Sequence, residues 1–170
     1  MNSFSFFFVL FLLLSSAVYS QDFKDYDTNN DGKIDQSEFI HTYDLGKWDS
    51  NHDGGISKQE FYQGLFNQID RNANDGFISP IEWAKTAKNL YNKYLPSKME
   101  VLDTNHDNKL SPQEFIVGLS NSSLYHQYNK NNNLNLSKKE FNKFYFELKD
   151  KDNNGSISKT EYNESDLSVE

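Results

Sequence analysis

Beyond a leading apolar stretch, the chain repeats one arrangement of polar and apolar positions six times. Each unit is a run of Asp, Asn and Gly that closes on a Glu, at Glu38, Glu60, Glu82, Glu114, Glu140 and Glu161. An aliphatic stands four residues before each of these acids (Ile34, Ile56, Ile78, Leu110, Leu136, Ile157), and an aromatic stands directly after it (Phe39, Phe61, Trp83, Phe115, Phe141, Tyr162). Self-similarity at this scale defines the fold before any single segment does. The polar runs predict loops, and the aromatics open segments with helical period. In "FYQGLFNQI", residues 61–69, Phe61, Leu65, Phe66 and Ile69 fall on one helical face, which places them in a core rather than in a ligand pocket.

Spacing constrains the helices. Residues 83–102 have room for an exiting helix, a break at Pro96 with Ser97 as a cap, and an entering helix. The first and second loops are separated only by residues 39–48, the second and third by 61–69, and the last two by 141–149. Nine or ten residues make about 14 Å of helix. One helix must therefore serve two loops in each case, or be sharply broken.

The loops themselves, among them "DTNNDGKIDQSEF", "DSNHDGGISKQEF" and "DKDNNGSISKTEY", resemble EF-hand calcium loops, D-x-[DN]-x-[DN]-G-x5-E. The resemblance covers nearly all of the chain after the apolar leader. It implies an all-α fold of tandem helix-loop-helix repeats with short β-bridges between neighbouring loops. It also implies Ca2+ as the cofactor. Calcium is a hard cation that takes six to eight oxygens, supplied by loop positions one, three, five, seven (a main-chain carbonyl), nine (often through water) and a bidentate Glu at twelve. In the first loop these are Asp27, Asn29, Asp31, Lys33 (carbonyl), Asp35 (through water) and Glu38, with Gly32 at the turn; in the second they are Asp49, Asn51, Asp53, Gly55 and Glu60. The sixth offers Asp150, Asp152, Asn154, Ser156 and Glu161. The fourth offers Asp103, Asn105, Asp107, Lys109 and Glu114, with Asn108 where Gly is expected; Asn tolerates the left-handed region best among other residues.

Two loops depart from the pattern. Residues 70–82, "DRNANDGFISPIE", hold thirteen positions instead of twelve. Both halves are intact, with one extra residue around Ala73 or Asn74, so the expected ligands are Asp70, Asn72, Asp75, the Phe77 carbonyl and Glu82. Residues 129–140 bring Asn129, Asn131 and Asn133, with Glu140 as the single carboxylate and Leu134 at the Gly position. Affinity follows ligand charge, and Leu at positive φ is strained, so this fifth loop is expected to be empty and to pair structurally with the sixth.

Composition adds location and exclusions. Phe6–Leu14 is an unbroken apolar run followed by small residues, with Val18 and Ser20 at the −3 and −1 positions of a cleavage site before Gln21. This reads as a secretory signal peptide over residues 1–20 and an extracellular protein with no membrane contact after cleavage. The remainder divides as 21–94, loops one to three, and 95–170, loops four to six. Six loops behind a signal are similar to the reticulocalbin and calumenin type, although the spacing is tighter and "SDLSVE" is no retrieval tail. With no cysteine, disulfides cannot staple the fold, and bound metal is an alternative source of stability. Net charge is −8, with 25 acidic against 17 basic residues, which disfavours nucleic acid as a partner. There is no H-E-x-x-H, P-loop or G-x-S-x-G, and no Cys nucleophile, so an enzyme is not expected.

The expected function is low-affinity calcium binding or buffering with about five loops. The alternatives are a sensor that exposes an aromatic groove to a protein partner, or a matrix or biomineral component. The chain has two Met, one of them Met1, which argues against a Met-rich groove. Sequons stand at Asn121, Asn135, Asn154 and Asn163; Asn154 is a ligand candidate and is expected to stay unmodified.

Overall fold

The computed structural model describes residues 22–43, 45–71, 73–86 and 95–164; residues 1–21, Asp44, Asn72, 87–94 and 165–170 lie outside the described residues. The elements are α1 (Phe23–Tyr26), β1 (Lys33–Asp35), α2 (Gln36–Thr42), β2 (Gly55–Ser57), α3 (Lys58–Asp70), α4 (Pro80–Thr86), α5 (Pro112–Leu119), α6 (Leu124–Tyr128), β3 (Asn135–Ser137), α7 (Lys138–Lys149), β4 (Ser156–Ser158) and α8 (Lys159–Glu164), with 3-10 turns at Gly46–Trp48 and Met99–Val101. This is the helix-loop-helix pattern the repeats predict, with bridges that widen into ribbons at two places. Among the described residues no helix is long and apolar enough to cross a membrane.

Each loop starts its own exit helix. Position nine is Asp or Ser, and in α2, α3, α5 and α7 it forms a capping box with the Glu three residues on: Asp35 with Glu38, Ser57 with Glu60, Ser111 with Glu114, Ser137 with Glu140. Each box satisfies two main-chain donors at the helix start. The Glu expected to hold calcium is thus fixed first by helix capping.

The shared helices appear as α3 and α7, each running from one loop into the next. Residues 39–48 take the other course. Here α2 stops at Thr42 and a 3-10 turn enters the second loop. The carbonyls freed at this break, those of Ile40 and Tyr43, accept from the fully buried Asn142 Nδ2 at 3.2 and 3.3 Å. The entry to the fourth loop is likewise only the turn Met99–Val101, led by Lys98 without a side-chain cap, so Ser97 does not cap a helix as expected.

The loops pair in a nested order. β1 runs antiparallel to β4 (Ile34 opposite Ile157), β2 to β3 (Ile56 opposite Leu136), and Ile78 bridges Leu110. Loop one therefore meets loop six, two meets five, and three meets four. The fifth loop does not pair with the sixth; the expectation of neighbouring partners holds for loops three and four and is corrected for the other four. Each bridge joins a loop of residues 21–94 to one of 95–170. The chain closes on itself like a hairpin, and the Phe23 ring lies edge-on to Tyr162 at 5.5 Å.

All six bridge aliphatics are completely buried, and the aromatics that follow each Glu pack beneath them. Trp48, from the broken segment, sits among Phe61, Phe141, Phe144 and Tyr145. It fits because residue 64 of α3 is glycine: a Cβ there would lie 2.1 Å from the indole ring. Truncating one such buried aromatic to Ala costs about 3–5 kcal/mol.

Candidate metal centres

In four loops the geometry repeats closely. The Asp at position one is buried and its two oxygens accept the amides of positions five and six: Asp27 from Asp31 and Gly32 at 3.0 Å each, Asp49 from Asp53 and Gly54 at 3.1 and 2.9 Å. Asp103 does the same with Asp107 and Asn108 (3.2 and 3.0 Å), and Asp150 with Asn154 and Gly155 (3.1 and 2.9 Å). A carboxylate offers about four lone-pair directions, so one amide per oxygen leaves acceptor capacity facing the loop. At the other end Glu38 Oε1 accepts from the Thr28 and Asn29 amides (2.9 and 3.1 Å), and Oε2 from Asp35 (2.9 Å). The closing Glu thus reaches across from helix cap to loop entrance.

Position six turns as the chemistry requires. Gly32, Gly54, Gly76 and Gly155 have φ of +84 to +86°, and Asn108 substitutes for Gly at +62°. Position four is also left-handed, at Asn30, His52, Asn74, His106, Asn132 and Asn153. This explains the two loop histidines without any role in ligation. Asn and His are enriched in that region. The signal in the sequence is a polar residue able to take positive φ at one fixed place in every loop.

Position four also locates the insertion in the third loop. Asn74 has φ +49°, so the extra residue precedes it. α3 continues through Asp70, Arg71 remains helical, and the Asn74 amide donates back to the Asp70 carbonyl at 2.6 Å. The surplus is absorbed as added turn at the entrance. Asp70 still accepts from the Asp75 and Gly76 amides at 3.2 and 3.0 Å, the clasp seen in the regular loops. The Ala73 amide donates to Glu82 Oε1 at 3.4 Å, as the Asn29 amide does to Glu38 at 3.1 Å. Asn72, expected at position three, lies outside the described residues, and Ala73 brings no side-chain oxygen.

The fifth loop lacks the clasp. Asn129 Nδ2 donates to the Asn133 carbonyl at 2.7 Å, and its buried Oδ1 has no hydrogen-bond partner. Leu134 does not take positive φ, so the strain expected at that position is avoided by a different backbone, and its side chain is 91 % exposed. Glu140 is still placed by the Lys130 and Ser137 amides at 3.2 and 3.0 Å. The frame survives and the charge does not.

Electrostatics sharpen the distinction. Burial alone pushes the Glu38, Glu60, Glu140 and Glu161 carboxyls up, but the amides they accept outweigh it and hold all four below the ordinary value. The Ser111 amide and hydroxyl carry Glu114 down to about 2. Asp150 moves the other way: burial raises it past the pull of the Gly155 and Asn154 amides, and Asp152 and Glu161 add to the rise. One oxygen each of Asp150, Asp152 and Glu161 lie within 4.8 Å of one another. Three carboxylates so close repel unless a cation joins them. The donor set, all hard oxygen, fits calcium. Asp27, Asn29, Asp31, Lys33 and Glu38, and their counterparts in loops two, four and six, would hold it; bound there, calcium supplies neutralising charge and ties the loop to its exit helix.

Of the sequons, Asn121 is exposed in the turn after α5. Asn154 Nδ2 is engaged by Asp152 Oδ2 at 2.8 Å, and Asn135 Nδ2 by Asp53 Oδ2 at 3.0 Å.

Residues 21–41, 44–65, 62–85 and 98–119 match the family model for the EF hand, together half of the chain. The protein belongs to the EF-hand family, and its four matched repeats support calcium-ion binding. No curated protein and no solved structure matches the chain. Loops five and six lie outside the matched segments, although loop six carries every element of the pattern.

Proposed function

We propose that this is a secreted calcium-binding protein with five working loops, one to four and six, acting as a low-affinity buffer or as a fold stabilised by extracellular calcium. The observation that carries the reading is the position-one clasp, present at Asp27, Asp49, Asp70, Asp103 and Asp150 and missing at Asn129. Extracellular calcium modules bind at about 10⁻⁴–10⁻³ M. With free calcium about tenfold above Kd, five sites contribute about 7 kcal/mol through linkage. That is comparable to the whole stability of an ordinary domain. Binding rather than catalysis is the role, because the clustered carboxylates are already committed to the loops.

A buffer is favoured over a sensor because the aromatics after each Glu are buried in one core and Met99 is buried with them. The deciding experiment is calorimetric calcium titration of the calcium-stripped chain from Gln21, with circular dichroism before and after. Five ions bound, with a rise in melting temperature, support the reading. Four ions remove loop three from it. Apolar dye binding that rises with calcium would instead indicate a sensing scaffold.

A further inference from the structure

We propose that Asn135, a residue of the calcium-poor fifth loop, is a positioning residue for the second loop's calcium site, and that Gly55 is the notch that admits it. The inference rests on the reading that loop two binds calcium. Asn135 Nδ2 crosses the β2–β3 ribbon and donates to Asp53 Oδ2 at 3.0 Å. Asp53 is the position-five acid of loop two. Its Oδ1 accepts the Gly55 amide (2.9 Å), and its Oδ2 also accepts Asn51 Nδ2 (3.1 Å). The corresponding acid of loop one, Asp31, accepts the Lys33 amide and Asn29 Nδ2 at 3.0 and 3.4 Å, without such a donor from across its ribbon among the bonds described.

The crossing requires space and a rigid neighbour. A Cβ on residue 55 would lie 2.9 Å from Asn135 Cβ, so a side chain there would displace Asn135. The ribbon is braced by the Tyr125 hydroxyl, whose single proton is shared between the carbonyls of Ile56 and Leu134, both at 3.0 Å. The other bridges use position seven differently. Ser156 Oγ turns back to Asn154 of its own loop at 2.6 Å, and Lys109 lies over the Phe77 ring at 3.8 Å. Asn135 is a neutral donor, so it fixes the carboxylate's orientation while leaving its charge for the ion. An otherwise exposed Asp is then held before calcium arrives, and less side-chain freedom remains to be lost on binding.

The test follows the amide signals of the chain from Gln21 during calcium titration by NMR. Gly54, whose amide donates to Asp49 at 2.9 Å, reports loop two, while Gly32 and Gly155 report loops one and six. Asn135→Val removes the donor and keeps a strand-compatible side chain. Expected is a three- to tenfold weaker titration at Gly54, of the order set by one hydrogen bond, with Gly32 and Gly155 unmoved and the calcium-free melting temperature unchanged. If the Leu136 amide loses exchange protection in that variant, Asn135→Thr replaces it. Equal titration of Gly54 in parent and variant, or equal weakening at all three glycines, overturns the positioning role. A parent Gly54 that does not respond to calcium overturns the reading of loop two itself.

Discussion

The third and fifth loops both break the twelve-residue rule, one by length and the other by composition, and the structure treats them very differently. The third has a residue too many and still presents Asp70 to the Asp75 and Gly76 amides as a regular loop does. The fifth has the right length and loses the arrangement, because an amide at position one donates where a carboxylate would accept. Backbone surplus can be wound into the end of a helix at little cost. Missing negative charge has no such remedy. Both loops nevertheless keep their bridge aliphatic fully buried, at Ile78 and Leu136. Pairing and ligation are separate functions carried by the same dozen residues.

The widest test of this contrast removes calcium altogether. Chelation should destabilise the chain by about 7 kcal/mol if five loops are loaded, seen as a large fall in the melting temperature. Next in size, Glu82→Gln should weaken loop three by about tenfold or more and lower the bound count by one. Glu140→Gln should leave the count unchanged; a lost ion there would erase the distinction between the two loops. Deleting Ala73 restores the twelve-residue pattern and brings Asn72 to position three, so loop three should tighten by roughly tenfold, about 1.4 kcal/mol.

Acid should act on the calcium-free protein in a defined direction. The closing Glu residues are held below their ordinary value, so their contribution is present above that value and lost as pH falls through the folded one, which for Glu114 means from about 4.5 toward about 2. Asp150, being raised, has the opposite sign, and its ionisation weighs against the empty fold above its ordinary value of 3.8. An acid titration of stability should therefore be shallower in the wild type than in Asp150→Asn. The smallest effect belongs to Leu134→Asn, which should change stability by no more than about 0.5 kcal/mol, since that side chain meets water.

Much of this was legible beforehand. The loop register, the closing acids, the buried aliphatic and aromatic pair, and the double duty of α3 follow from periodicity and spacing. The tolerance of Asn108 for a glycine's place followed from its side chain. The pairing of loops was not legible, because position eight carries Ile or Leu in every loop and neither specifies a partner. Partners are chosen by helix length, by the break that Asn142 seals at Tyr43, and by the room Gly64 leaves for Trp48. The third loop's solution was hidden for a related reason: sequence counts residues, whereas the extra turn at Arg71 depends on where a helix stops.

The nesting of the bridges has a consequence for how the protein is made. A ribosome finishes loop one before the other loops, yet its partner, the strand around Ile157, is translated after the first five loops are complete. Loop three finds Leu110 soonest, so assembly should proceed from the centre outward, with each outer ribbon closing over the one before. Because loop-closure entropy favours the short connection, chains truncated after Leu119 should already protect the loop-three segment from protease. Chains ending before Ser156 should leave the loop-one segment open to cleavage, until the loop-six strand arrives to latch it.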